Sequence, residues 1–230
     1  MAIIKTKSEI QKVTKACQET DAIFAKILHK SDLCKITEIE LRNFILEEIK
    51  KRGLKPSFPP IVTSGKVAGK EIHPQPTKNK LKGFVIIDFG VIYEKFMSDM
   101  TRTIYIGTPN KEEKEIYNKL LSVQKECVKL SRVGTVAGLL DAQARALLGK
   151  ERKYFIHTLG HGVGTKIHEN PKIFFKDTKS ILKEGMVITI EPGLYVKGKF
   201  GMRIEDTIVI TKKGPKVLTK SNKELISIKC

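Results

Sequence analysis

The 230 residues contain no tryptophan, only 7% aromatic residues and no run of about 18 apolar residues, so a membrane-spanning helix is excluded. Arginine is also scarce: of the 43 basic residues only seven are arginine, although the net charge is +18. Readers of bases and phosphates lean on arginine forks and concentrate charge in a block, whereas these lysines are scattered along the chain. A nucleic-acid partner is therefore not expected despite the charge. The four cysteines (Cys17, Cys34, Cys127 and Cys230) are spaced too widely for a zinc knuckle or a compact disulfide framework, and a reduced, cytoplasmic chain is expected. The stretch Met1 to Lys7 has no secretory apolar block, which points the same way. With 40% hydrophobic and 30% charged residues, the chain is not disordered and can bury a core.

The periodicity predicts helices first. Ser8-Glu9-Ile10-Gln11 has the form of a capping box, followed by Ile10, Val13, Cys17, Phe24 and Ile27 at helical intervals. Thr37-Glu38-Ile39-Glu40 repeats the box, and Gly53 stands where that helix would stop. A loop-rich connection with Pro56, Pro59, Pro60, Pro74 and Pro76 follows, with short strands. Strands are expected over Phe84 to Ile87 and Met100 to Ile106, helices over 111–130 and Val136 to Leu148, then strands over Met186 to Glu191, Leu194 to Val196 and Arg203 to Thr211. The order suggests an α+β domain with an antiparallel sheet covered by helices.

Two expected hairpins each bring two acids together. Asp88 and Asp99 lie eleven residues apart and, with a turn centred between Tyr93 and Glu94, would stand directly opposite one another. Glu191 and Glu205 are centred on Gly198 and would also face each other, with Pro192 bending one strand. Four carboxylates meeting at about 6 Å would repel by roughly 15 kcal/mol at an effective dielectric of about 20, as much as a domain's whole stability. Protonation or cations must relieve that, and metal is the economical answer. Histidines accumulate nearby in sequence: His73 in the proline-rich connection, and His157, His161 and His168 around Gly160-His161-Gly162-Val163-Gly164. Neutral imidazole is a common metal ligand. His29, on the first helix, is read as structural.

These pieces resemble the catalytic domain of the pita-bread metallopeptidases, which include methionine aminopeptidases, Xaa-Pro aminopeptidases and prolidases. The matching segments are Ile87-Asp88-Phe89-Gly90, Ser98-Asp99-Met100-Thr101-Arg102-Thr103, Gly160-His161-Gly162-Val163-Gly164, His168-Glu169-Asn170-Pro171, Glu191-Pro192-Gly193-Leu194-Tyr195 and Arg203-Ile204-Glu205-Asp206, in the family's order over nearly the whole chain. The resemblance implies a pita-bread fold over 1–230 as a single catalytic domain, without the extra N-terminal domain usual in proline-specific members. It implies two divalent ions (Mn, Co, Fe or Zn), with Asp88 chelating one, Asp99 and Glu205 bridging, and His161 and Glu191 completing the other. Attack on a peptide by a hydroxide held between the ions follows, with Glu191 carrying the proton. His168 and His73 would hold substrate and intermediate, while Arg203, His157 and Tyr195 would stand behind the ligands. The short spacing from Glu191 to Glu205 resembles the proline branch, so a peptide with proline after its first residue is the expected substrate, and a second copy of the chain the candidate protein partner. Methionine aminopeptidase activity is the alternative, and a non-catalytic pita-bread module on ribosomes or nucleic acid the second. The hallmark of such a module would be lost ligands, and none is lost.

Overall fold

The structure, a computed structural model, describes residues 4–230, so the first residues of the Met1 to Lys7 stretch lie outside it. The chain opens with α1 (Lys7–Leu28) and α2 (Glu38–Lys51). The box that starts α1 is Thr6 with Glu9, two residues before the expected Ser8: Thr6 Oγ1 accepts from the Glu9 N–H, and Glu9 reaches back to the Thr6 N–H. Ser8 is already inside the helix, where a side-chain cap has no open N–H to serve. The box at Thr37 and Glu40 forms as expected, and Gly53, at φ 69°, follows the helix end.

The proline-rich connection holds β1 (Lys55–Pro56), β2 (Ile61–Ser64) and the single turn α3 (Gly65–Ala68). Then come β3 (Gly83–Phe89), β4 (Val91–Tyr93), β5 (Phe96–Met97) and β6 (Met100–Ile106), and the helices α4 (Lys111–Leu130) and α5 (Ala137–Leu148). A 3₁₀ turn (Gly149–Tyr154) leads to β7 (Gly160–Gly162), β8 (Glu169–Ile173), β9 (Val187–Ile190), β10 (Gly193–Val196), β11 (Phe200–Arg203), β12 (Asp206–Thr211), β13 (Gly214–Val217) and β14 (Ser227–Ile228). The strand expected over Arg203 to Thr211 is thus two, broken at Ile204 and Glu205.

The strands form a four-stranded sheet, β14-β6-β3-β2, and a five-stranded sheet, β13-β12-β9-β7-β8, with the smaller β1-β4-β5 and β10-β11 sheets beside them. Pairing is antiparallel except for β14 on β6. Helices cover each large sheet: α1 and α2 bury Phe24, Ile27, Leu41 and Ile45 against Val85, Ile87 and Ile104. In the other half, α4 and α5 bury Leu120, Cys127 and Leu140 against Ile188, Ile190 and Ile208. Each such side chain contributes about 1.5–3 kcal/mol by leaving water. This is the α+β pita-bread arrangement. No helix among the described residues is long and apolar enough to cross a membrane.

The cysteines correct one expectation. Cys34 and Cys230 form a disulfide, Cα to Cα 5.6 Å, across a sequence separation of 196 residues. Spacing held no trace of it, because the pair is made by packing: Cys34 and Ile228 both lie on the α1–α2 apolar layer, which brings the last strand beside the α1–α2 connection. Cys17 and Cys127 are buried and free.

Candidate metal centre

The two acid-bearing hairpins differ in how closely they follow the alternation of the sequence. In the first, β3 pairs with β6 so that Asp88 stands opposite Thr101 rather than Asp99. The turn is centred one residue later than expected, on Glu94 and Lys95, at φ 46° and 73°. Two residues with positive φ close a tight hairpin whose twist matches its strands. Asp99 therefore sits diagonally from Asp88, two residues before Asp88's partner and on the same face by strand alternation. In the second hairpin the reading holds. Gly193 pairs with Arg203, and Val196 with Phe200, about Gly198, while Ile190 pairs with Asp206 in the same phase. Glu191 and Glu205 occupy the facing positions at the break, where Ile204 N–H still reaches the Pro192 carbonyl at 3.2 Å.

His161 comes from β7, squeezed between β8 and β9. A side chain at Gly160 would lie 2.0 Å from the Thr189 carbonyl oxygen, and one at Gly162 would lie 2.4 Å from that of Asn170. These glycines thus admit neighbouring strands, not a ligand, and so set the imidazole at the seam between the two large sheets. There Asp99, His161 and Glu205 bring ligand atoms within 4.8 Å of one another. His161 Nε2 is 3.6 Å from Asp99 Oδ2 and 3.4 Å from Glu191 Oε1. Asp88 Oδ2 accepts from Arg203 Nη2 at 2.6 Å, while its other oxygen is buried with no partner.

The electrostatics of this cluster call for a cation. Burial, reinforced by Asp88 and Glu191, pushes Asp99 well above the usual carboxylate range, and burial with Asp99 does the same to Glu205. Burial pushes Glu191 up to about 7. His161 is driven the other way, to about 4, chiefly by burial. Its Nδ1 stands 3.0 Å from the Gly162 carbonyl, which can only accept. The proton therefore resides on Nδ1, and the Nε2 lone pair points at two carboxylates. Lone pair against carboxylates, beside an orphaned Asp88 oxygen, is a donor set of oxygens and one nitrogen that fits divalent transition ions.

The remaining expected residues surround this point. Arg203, 1% exposed, joins Asp88 to Thr101 Oγ1 (3.0 Å from Nε) and also donates to the Tyr195 hydroxyl. Tyr195 in turn donates to His157 Nε2 at 3.1 Å, since His157 Nδ1 is engaged by the Thr158 carbonyl at 2.8 Å. Burial, with Arg203 adding to it, lowers His157 to about 3, so its ring is neutral. His73 and His168 are exposed to a cavity of about 790 Å³ whose lining also includes Asp88, Asp99, Glu191 and Glu205. The His168 ring meets His161 edge-on, centroids 4.3 Å apart. His29 is an exposed helix end, away from the cavity lining.

Several participants were not singled out from sequence. Thr101 Oγ1 donates to Glu205 Oε2 at 2.7 Å, and Thr189 Oγ1 lies 3.1 Å from the His161 N–H, which it accepts. Behind Glu205, Arg102 donates to the Thr101 and Glu205 carbonyls and to Asp206, which also receives Gln124, Thr219 and Lys223. Burial alone would raise Asp206, but Arg102 and Lys223 outweigh it and hold it below its usual value. A strand-embedded arginine and aspartate in otherwise apolar runs were the available signal.

Arg203→Lys retains the charge but cannot serve Asp88, Thr101 and Tyr195 together. Divalent-ion affinity is expected to fall about 10–100-fold, as for other partners that orient ligands. A competitive metal titration checks this; unchanged affinity would remove Arg203 from that role.

Comparison with known proteins agrees with this geometry. The model of metallopeptidase family M24 matches residues 11–212. The Xaa-Pro dipeptidase of Pyrococcus furiosus is 42% identical over 98% of this chain and 66% of its own length. Among solved structures, recombinant prolidase from Thermococcus sibiricus superposes with a TM-score of 0.94 at 40% identity, covering 99% of this chain and 63% of that one. X-Pro aminopeptidase from Thermotoga maritima gives 0.93 at 32% identity, covering 99% and 65%. The chain thus spans just under two thirds of the length of such relatives.

Proposed function

Because the chain belongs to metallopeptidase family M24, we propose that it is a single catalytic domain that hydrolyses the peptide bond between an N-terminal residue and proline. One observation carries this reading: five donors, Asp88, Asp99, His161, Glu191 and Glu205, converge at the floor of one cavity with an unpartnered carboxylate oxygen among them. Asp88, Asp99 and Glu205 would hold two divalent ions (Mn, Co, Fe or Zn) together with His161 and Glu191, and four carboxylates balance the charge of two such ions. When bound, the ions supply Lewis acidity and an acidified water.

The chain's own residues account for the rest. Glu191 carries the proton from the attacking water to the departing prolyl nitrogen; a carboxyl raised by burial is suited to both halves of that transfer. Burial lowers His73 and His168, so both are neutral donors near pH 7 and can hold the scissile carbonyl and the intermediate without adding charge. Arg203 fixes Asp88, Tyr195 fixes Arg203, and His157 fixes Tyr195. Phe58, Pro59, Pro60, Ile72, Pro74 and Pro76 give the cavity an apolar wall suited to a pyrrolidine ring. A tertiary prolyl amide brings no N–H, so such a wall leaves no donor unpaired.

The test is a hydrolysis panel of Xaa-Pro dipeptides, Xaa-Pro tripeptides and Met-Ala peptides on metal-reconstituted protein. Preferred cleavage of the Xaa-Pro set supports the reading. Preference for Met-Ala would replace it with methionine aminopeptidase activity. In the same assay His168→Ala should retain full metal content while kcat/KM falls about 10²–10³-fold, the usual loss for one donor to a developing oxyanion. His29→Ala should change neither quantity. Lost metal in His168→Ala would reassign His168 as a ligand.

A further inference from the structure

We propose that the buried Lys5–Glu169 ion pair is a positioning device that holds the Gly164–Glu169 turn and, through it, sets His168 over the cavity. The inference rests on the peptidase reading for the role of His168, and on geometry for the rest. Lys5 Nζ lies 2.6 Å from Glu169 Oε2, with the two side chains only 2% and 3% exposed. The other carboxylate oxygen, Oε1, accepts the Lys166 N–H at 3.2 Å, so one side chain closes the turn from within. Gly164 opens that turn: its N–H donates to the Lys166 carbonyl at 3.1 Å, and its own carbonyl accepts from Met97 N–H at 2.8 Å, two residues before Asp99.

Gly164 is also what leaves room for the pair. A Cβ there would stand 2.6 Å from Glu169 Oε1 and 2.8 Å from Lys5 Cε. Lys5 itself is anchored: its N–H reaches the Gly185 carbonyl at 2.9 Å, and Ile4 bridges to Met186. The pair therefore ties the turn to the edge of the β9 segment. His168, exposed beside Glu169, takes its place against His161 from this backbone.

Stability is a poor reason for such a pair. Two buried charges are replaced by well-packed apolar side chains at little or no cost in many proteins, whereas losing one partner is costly. An apolar pair could not accept the Lys166 N–H, and that bond is what fixes the path of the backbone into His168.

A double-mutant cycle tests this on metal-reconstituted protein. Glu169→Leu, which removes both the ion pair and the acceptor of the Lys166 N–H, should lower kcat about 10–100-fold with metal content unchanged, the range found when an orienting partner is removed. In a His168→Ala background the same change should cost less than about twofold, because the residue it positions is gone. Equal losses in both backgrounds, or none in either, would overturn the proposal. If Glu169→Leu, which strands the buried Lys5, does not fold, the apolar double variant Lys5→Met with Glu169→Leu takes its place in the cycle, with the same expected outcomes. Hydrogen exchange separates this inference from the peptidase reading. Amide exchange at Gly164 and Lys166 should quicken at least about tenfold in the variant while β3 stays protected. Unchanged exchange overturns the positioning role even in an active peptidase, and faster exchange upholds it even if every peptide in the panel is left uncut.

Discussion

Asp99→Asn and Glu205→Gln are each expected to lower peptide hydrolysis by at least about a thousandfold and to stabilise the protein when metal is withheld. The first effect follows from the proposed metal-holding role of these groups: loss of either donor would remove several kcal/mol of the charge stabilisation that bound ions would give the transition state. The second has the opposite sign and the same origin. Asp99 and Glu205 are buried beside each other, with Asp88 and Glu191 close enough to raise both. Without cations, a neutral amide in either place relieves that repulsion. Glu205→Gln also keeps an acceptor for Thr101 Oγ1, so little packing is lost. Elemental analysis, kcat/KM and thermal midpoints in chelator check both effects. A variant that keeps activity, or one less stable than the parent in chelator, would refute the placement of that carboxylate.

Metal-free protein should lose stability as the pH rises above about 6.5, and divalent ions should abolish the loss. Glu191 titrates at about 7 in the folded chain against an ordinary 4.5. Between those values the folded state holds a proton that the unfolded chain has released, so raising the pH disfavours folding; below 4.5 the contribution is fully present. Asp99 and Glu205, also raised by burial and neighbouring carboxylates, act in the same sense. His161, lowered to about 4, and His157, lowered to about 3, act in the opposite sense, but only up to their ordinary 6.5. Above that pH the carboxylates act alone. Thermal melts from about pH 6.5 to pH 8, with chelator and with saturating Mn²⁺, measure the difference. A flat profile in chelator would show that the carboxylates do not crowd one another.

Where the local pattern decided the structure, the sequence was legible. Helix α4 spans the expected 111–130 because it buries one face at helical intervals, and β6 the expected Met100 to Ile106 because its run of β-branched and aromatic residues is buried throughout. The phase of the Gly198 hairpin followed from counting outward from a glycine turn, and it located Glu191 against Glu205. The first hairpin is displaced by one turn residue from the expected centre because Glu94 and Lys95 adopt positive φ, and no glycine marks the turn. His161 was visible through its glycines, yet β7 is only three residues long and carries no alternation to read. What stayed hidden was made by tertiary packing alone: the Cys34–Cys230 link, the Asp206 network, and Lys5 with Glu169, partners 164 residues apart.

The donors belong to different sheets: Asp88 and Asp99 ride on the hairpin of β3 and β6, while His161 lies in β7 and Glu191 and Glu205 adjoin β9 and β12. Small relative rocking of these halves alters the spacing of the carboxylates before it disturbs either apolar layer. Ions seated in this centre would thereby convert occupancy into stiffness of the whole molecule, like a rivet through two plates, and the metal-loaded chain should breathe less than the empty one.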